Sequence, residues 1–151
     1  MTQRHAARTV LLDTDGQVAI IQAKKLGYYK IPGGGIEEGE DSEAAAKREA
    51  REESGCEVEI LSSLGQIVTD LPGWEMQDVS DGFLARAIGE KQVPTFEEHE
   101  IERGFDIGWY DLDEAIRMIE TTTAPDFETG AIQARDLEFV KRAKKWLEEQ
   151  K

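Results

Sequence analysis

A run of glycines followed closely by a long helix-forming segment constrains this chain most. Three consecutive glycines follow Pro32, and good helix formers occupy residues 42–54. Asp41 precedes that run, where its carboxylate can cap free N–H groups, and Gly55 follows it, where a left-handed C-terminal cap belongs. The pattern predicts a loop with little side chain that leads into a helix.

Three glutamates of this predicted helix share one face. Glu49, Glu52 and Glu53 are spaced i, i+3 and i+4, so they fall within about 100° of arc. Their like charges repel, and the helix dipole disfavours negative charge in the last turn. A solvated acidic face is the plain alternative. Glycines beside the helix, however, let a ligand approach the backbone closely, so the loop and the face together predict one site.

Clustered carboxylates suit Mg²⁺, which takes oxygen ligands, keeps several waters and often completes its shell with substrate phosphates. The chain has one cysteine and two histidines, too few for a Cys/His zinc site. The chemistry that the cluster favours is therefore metal-assisted hydrolysis of a phosphoanhydride.

Apolar runs elsewhere predict a single α/β domain over residues 1–151. Strands are predicted at 8–13, 17–24, 28–31, 57–67, 79–87 and 105–110, and helices after residue 111 and from residue 132 onward. The first two strands form a predicted hairpin, whereas the segment D-L-P-G-W-E-M-Q-D-V, residues 70–79, is predicted to be irregular. Strands and helices do not alternate strictly, so helices covering a mixed sheet are expected.

Charge and hydropathy exclude some classes of partner. The 151 residues include 18 Lys and Arg against 32 Asp and Glu, a formal net charge of −14, so the surface is expected to repel nucleic-acid polymers. No apolar run approaches the roughly 20 residues that span a bilayer, and no signal-type segment develops before Asp13. With its lone cysteine, the chain is predicted to be cytoplasmic, without a membrane partner.

The residues around the glutamates also form a spaced string. Gly34, five residues, Glu40, seven residues and then R-E-A-R-E-E-S-G-C resemble the Nudix box, G-x5-E-x7-R-E-U-x-E-E-x-G-U, where U is a bulky aliphatic residue. Every charged and glycine position is filled, and only Ala50 and Cys56 are smaller than usual. The resemblance implies an α/β/α sandwich with a mixed central sheet. It also implies hydrolysis of nucleoside diphosphate derivatives with Mg²⁺ or Mn²⁺.

The resemblance assigns roles within the box. It implies that three helix carboxylates and one backbone carbonyl bind the metal: Glu49, Glu52, Glu53 and Gly34. Glu53 and Glu52 are also implied to act in catalysis. Glu40 is implied to orient Arg48, and Gly55 completes the box.

Relatives in the family often draw a further glutamate from a later loop, as a metal ligand or general base. Here the segment F-E-E-H-E-I-E-R offers Glu100 first and Glu98 second, because both would project from one side of an extended segment. A solvated acidic loop is the alternative for either residue.

Substrate recognition must come from outside the box. Trp74, Tyr28 and Tyr29 are candidates for stacking on a base. Pro72, 16 positions after Cys56, resembles a marker of ADP-ribose hydrolases in the family. Short acidic chains such as this one are also similar to MutT-like nucleoside triphosphate pyrophosphohydrolases. Both substrate classes remain open. A small nucleotide is the expected partner and a homodimer the default assembly. The alternative function is a non-catalytic nucleotide-binding or sensor domain, which retention of every box carboxylate disfavours.

Overall fold

A computed structural model describes residues 2–151 as one seven-stranded sheet with four helices. The strands are β1 (Thr2–Leu12), β2 (Val18–Ala23), β3 (Tyr28–Lys30), β4 (Gly33–Gly35), β5 (Glu57–Leu71), β6 (Met76–Ile88) and β7 (Phe105–Tyr110). The helices are α1 (Ser42–Ser54), α2 (Glu98–Glu102), α3 (Leu112–Thr121) and α4 (Phe127–Glu149).

The sheet is mixed, as predicted. Its main path runs β3-β2-β1-β6-β5, with β4 paired to β1 and β7 paired to β2. Strands β1 and β6 are parallel, and the other pairs are antiparallel. The predicted hairpin of β1 and β2 is present, and Gly16 adopts a φ of 79° at its turn.

The segment predicted to be irregular is instead the end of a long hairpin. The ladder of β5 and β6 continues until Leu71 pairs with Met76, and a 3-10 turn over Pro72–Trp74 connects the strands. These strand ends carry polar side chains, so they lack the apolar pattern that predicts a strand. The polar side chains bond to each other across the exposed ladder, as Gln77 Nε2 does to Asp70 Oδ1 at 2.9 Å. The hairpin tip consequently carries Trp74.

Helices cover both faces of the sheet, which confirms the predicted fold class. Successive side chains of β1 point to opposite faces. Val10 belongs to one buried cluster with Phe139 of α4, and Leu11 belongs to another with Ala50 of α1. Helix α3 joins the first cluster through Ile116. Within residues 2–151, no helix combines the length and apolar character needed to cross a membrane.

The glycine run is strand β4, so its prediction as a loop is wrong. Gly34 pairs with Ala7 of β1, and a Cβ built on Gly34 would lie 2.5 Å from Glu49 Oε1. Only glycine lets this strand approach α1 so closely. Strand β4 therefore brings its backbone directly against an acidic side chain of the helix.

Helix α1 has the predicted bounds and caps. Asp41 Oδ1 accepts a hydrogen bond from the Ala44 N–H at 2.7 Å, and Gly55 takes a φ of 74° at the C-terminal end. Buried alanines face the sheet, so the helix packs with little side-chain bulk between them: Ala45, Ala46 and Ala50. The close packing fixes the direction in which the remaining face of α1 points.

Candidate functional site

Three buried glutamates, here called the carboxylate cluster, meet between α1 and α2. Glu49, Glu53 and Glu100 each offer an oxygen, and these oxygens lie within 4.8 Å of one another. Their exposed fractions are 7%, 0% and 6%. Burying three acids together is unfavourable unless cations or protons compensate them. The cluster is therefore a strong candidate for holding a divalent cation.

Glu53 lies at the centre of the carboxylate cluster. Its Oε1 accepts a hydrogen bond from the Gly33 N–H at 2.7 Å, whereas its buried Oε2 has no hydrogen-bond partner among residues 2–151. Burial raises the pKa of Glu53 well above its ordinary range; Lys30, whose Nζ is 3.6 Å from Oε2, opposes this rise, and Glu100 adds to it. An unpartnered carboxylate oxygen beside two further carboxylates fits Mg²⁺ or Mn²⁺.

Arg48 links the glycine strand to the cluster. Its Nε donates to Glu40 Oε2 at 2.7 Å, its Nη1 donates to Glu49 Oε1 at 2.9 Å, and its Nη2 donates to the Gly35 carbonyl at 3.0 Å. The bond to Glu40 is the main reason why the pKa of Arg48 is raised and that of Glu40 is lowered. Glu40 and Arg48 thus orient Glu49, and Glu40 Oε1 also accepts the N–H of Glu37 at 2.9 Å.

The structure places Glu52 at the edge of the cluster and not inside it. Its side chain is 27% exposed, and its Oε2 lies 3.4 Å from Arg48 Nη1. Burial, followed by the nearby charge of Glu49, raises the pKa of Glu52. Glu52 therefore lies near Arg48 and Glu49 while remaining accessible to water.

The expectation that Glu98 and Glu100 share one side of an extended segment is wrong. The segment forms helix α2, in which residues two apart point in different directions. Glu100 is buried and its Oε1 accepts the N–H of Glu97 at 2.8 Å, whereas Glu98 is exposed and lies outside the carboxylate cluster. This first-turn bond favours the helix over the extended segment.

A cavity of about 200 Å³ adjoins the cluster. Glu49 and Glu100 line it together with the glycines of β4, and Tyr28, Trp74 and Phe105 supply aromatic walls. Tyr28 is buried, whereas Trp74 is 48% exposed. The cavity lining, taken over residues 2–151, includes neither of the other two candidates for substrate binding, Tyr29 and Pro72. Tyr29 packs instead against the core on the α4 face.

A second buried polar group, here called the arginine network, joins β1, β6 and α4. Arg8 Nη2 lies 3.2 Å from Asp78 Oδ2, and Arg135 Nη1 lies 3.3 Å from Asp78 Oδ1. Arg135 Nε also donates to Asp136 Oδ1 at 2.8 Å, and Arg8 Nε donates to Ser80 Oγ at 3.2 Å. Arg8, Asp78 and Arg135 all line the cavity.

Opposing effects set the ionisation of the arginine network. Burial and the charge of Arg135 lower the pKa of Arg8 to about 10. Burial alone would raise the pKa of Asp78, but Arg8 and Arg135 outweigh burial and lower it. Asp78 therefore bridges two guanidinium groups as a carboxylate.

Sequence reasoning missed Lys30 and the arginine network. A signal for part of the network was present in α4, where Arg135 and Asp136 stand three and four residues after the buried Ile132. That spacing places them on the same helix face as Phe139. Charged residues on an apolar stripe are candidates for a buried polar site.

Comparison with known proteins identifies the family. The model of the NUDIX domain matches residues 2–129, most of the chain. The chain belongs to the Nudix hydrolase family. A relative from Sphingopyxis alaskensis, an RNA pyrophosphohydrolase, is 32% identical over 132 residues, covering 77% of this chain and 82% of the relative. Nudix hydrolase 25 of Arabidopsis thaliana is 36% identical over 77 residues, covering 50% of this chain but only 41% of the plant protein.

Comparison with solved structures shows a shared fold. A NUDIX hydrolase from Nitrosomonas europaea superposes with a TM-score of 0.72 at 14% sequence identity, covering 95% of this chain and 90% of the other. Nudix hydrolases act on small nucleotide substrates and generally use a divalent metal.

Proposed function

We propose that this Nudix hydrolase cleaves a phosphoanhydride bond in a nucleoside diphosphate derivative, of the (d)NTP or ADP-ribose type, with Mg²⁺ or Mn²⁺ at the carboxylate cluster. The observation that carries this proposal is the convergence of three buried carboxylates, one of them with an unpartnered oxygen, beside a glycine strand. When bound there, the metal would neutralise phosphate charge and lower the pKa of an attacking water.

The surrounding residues hold the ligands in place. Arg48 fixes Glu49, and the N–H of Gly33 fixes one oxygen of Glu53, so that its other oxygen remains available. The bare backbone of β4 lets phosphate oxygens come close to the cluster, where the carbonyl of Gly34 is a further candidate ligand. Preorganised ligands of this kind avoid the cost of rearrangement during the reaction.

Glu100 is the best candidate for the general base. Its Oε1 is engaged by the N–H of Glu97, which leaves Oε2 to accept a proton from the attacking water. Glu52, at the accessible edge of the cluster, is the candidate for a further ligand or base. Glu98 is exposed and lacks this placement, so we assign it no part in the reaction.

The class of substrate is open to nucleotides of several kinds. The net negative charge opposes binding of a long polyanion, but it does not oppose a terminal phosphate that enters with a divalent metal. A relative named RNA pyrophosphohydrolase adds the phosphorylated 5′ end of an RNA to the substrates worth testing. The expectation that no nucleic acid is bound stays a prediction.

Phosphate release from a substrate panel tests the proposed function. The panel comprises (d)NTPs, ADP-ribose, dinucleoside polyphosphates, nucleotide sugars and a 5′-triphosphorylated oligoribonucleotide, each with Mg²⁺, Mn²⁺ or EDTA and with a coupled phosphatase where needed. We expect turnover of at least one substrate that EDTA abolishes. Tight nucleotide binding without any metal-dependent turnover would favour the non-catalytic sensor domain instead.

A further inference from the structure

The arginine network has hydrogen-bond donors that the protein does not use. Arg135 donates through Nε and Nη1, but its buried Nη2 has no hydrogen-bond partner within residues 2–151. Arg8 donates through Nε and Nη2, and no hydrogen bond in the described part of the chain uses its Nη1. A buried donor without an acceptor is unfavourable, so the retention of Arg135 Nη2 beside a cavity points to an acceptor on the ligand.

The charges of the network indicate what kind of acceptor fits. Two arginines are matched by two aspartates, Asp78 and Asp136, so the network has no excess formal charge. A neutral oxygen or nitrogen acceptor suits such donors better than a phosphate, which needs compensating positive charge. The carboxylate cluster, loaded with metal, is the part of the site suited to phosphates.

Apolar side chains form a smaller part of the cavity lining, which is otherwise mostly polar. Tyr28, Leu71 and Ile132 line the same cavity, and Trp74 stands at the hairpin tip beside it. Aromatic and apolar walls with a few fixed donors are typical of sites for a planar heterocycle. A nucleobase combines such a ring with acceptor atoms at its edge.

The identity of the donors restricts the base further. Arginine N–H groups pair with the O6 and N7 acceptors of guanine, whereas adenine carries an N–H donor at position 6. Donor opposite donor leaves both groups unpaired in a buried site. We propose that Arg8 and Arg135 bind the base of the substrate and select purines with an oxygen at position 6 over adenine. This inference rests on the proposed function only in taking the substrate to be a nucleotide.

Inosine and adenosine nucleotides provide the sharpest test, because their bases differ only at position 6 and N1. Hypoxanthine has an oxygen at position 6 and a proton on N1, whereas adenine has an amine at position 6 and no proton on N1. We expect kcat/KM for ITP to exceed that for ATP by about tenfold or more in the wild-type protein. Arg135→Met is expected to bring the ratio close to one. The matched control is Arg142→Met on the same helix, whose guanidinium donates to the Leu64 carbonyl and does not line the cavity; it should keep the wild-type ratio.

A binding measurement separates this inference from the proposed function. Calorimetric titration of inosine and adenosine, which carry no phosphate, onto the metal-free wild-type protein needs neither turnover nor a variant that folds, and inosine should bind about tenfold more tightly. Equal binding of the two, or no binding of either, would overturn the base selection even if metal-dependent hydrolysis is observed. Inorganic phosphate that binds the wild type but not Arg135→Met would also overturn it, because the arginines would then hold a phosphate.

Discussion

The carboxylate cluster and the arginine network line the same cavity but are built in opposite ways. The cluster gathers three acids, opposed by Arg48 on Glu49 and by Lys30 at 3.6 Å from Glu53. The arginine network alternates charges, so that each oxygen of Asp78 faces a different guanidinium. Negative charge accumulates in the first region and cancels in the second.

This difference separates what a fold needs from what a ligand supplies. A balanced buried network loses stability when one member is removed, because a charge is left unpaired. An unbalanced cluster already bears such a cost, and a bound cation removes it. Removing a charge should therefore weaken the fold at the arginine network and weaken only function at the carboxylate cluster.

Asp78→Ala tests whether the arginine network stabilises the fold, and it is expected to have the largest effect on stability. It leaves Arg8 and Arg135 buried without their shared partner, so we expect a loss of about 3–5 kcal/mol in the free energy of unfolding. Urea denaturation measures this loss. Asp81→Ala on the same strand is the control, since the Asp81 side chain accepts an exposed hydrogen bond from Gln66 and its loss should cost about 0.5 kcal/mol or less. Similar losses for both variants would contradict the bridging role of Asp78.

Glu53→Gln in the carboxylate cluster should lower catalytic activity and not folding stability. We expect kcat to fall about 1,000-fold, since a metal contributes several kcal/mol to stabilising the transition state. The metal-free variant should be at least as stable as the wild type, because the substitution removes a buried charge near two other acids. Steady-state kinetics and urea denaturation measure the two effects. Glu43→Gln on the exposed face of α1 is the control, and near-normal turnover of Glu53→Gln would remove Glu53 from the reaction.

The sequence predicted these two regions very unequally. The carboxylates of α1 lie within about one turn of one another in a single segment, so helical periodicity alone places them on one face. Residues of the arginine network are instead contributed by β1, β6 and α4, and their contacts depend on the parallel pairing of β1 with β6. Local periodicity does not predict which distant strands pair, which explains why the arginine network was missed.

Backbone packing limited the prediction of the glycine run and of α2. Gly33–Gly35 has a composition typical of loops, and only the neighbouring β1 makes it a strand. Helix α2 is five residues long and begins with a bond from the Glu97 N–H to a side chain of its own first turn. So short a helix shows too little periodicity to be told from an extended acidic segment.

Comparing Glu100→Gln with Glu98→Gln tests which glutamate of α2 takes part in the reaction. Glu100 is buried with the ligands, so its substitution should lower kcat about 100-fold as expected for loss of a general base. Glu98 is exposed on the same helix, and Glu98→Gln should retain turnover within about twofold because surface substitutions have small effects. Steady-state kinetics of both variants decide the assignment. The reverse order of effects would transfer the base to Glu98.

Added metal should stabilise the protein through the carboxylate cluster alone. Each tenfold excess of Mg²⁺ over its Kd is expected to add about 1.4 kcal/mol to the free energy of unfolding of the wild-type protein. Glu53→Gln should lose most of this gain, whereas Arg135→Met should keep it. Thermal melts at increasing Mg²⁺ measure the shift, with the same concentration of Ca²⁺ and of NaCl as references for ion type and ionic strength. A gain that is equal in Glu53→Gln would place the cation elsewhere.

The acid dependence of stability should report on the arginine network with the smallest effect. Because the guanidinium groups lower the pKa of Asp78, its carboxylate stabilises the folded state above its unfolded pKa of about 3.9, and this contribution is lost as the pH falls through the lower, folded pKa. Urea midpoints of the metal-free protein from pH 5 downward, measured in a Glu53→Gln background, should therefore fall more steeply than those of the same protein with Asp78→Asn. Parallel curves would mean that Asp78 does not carry the charge that balances the two arginines.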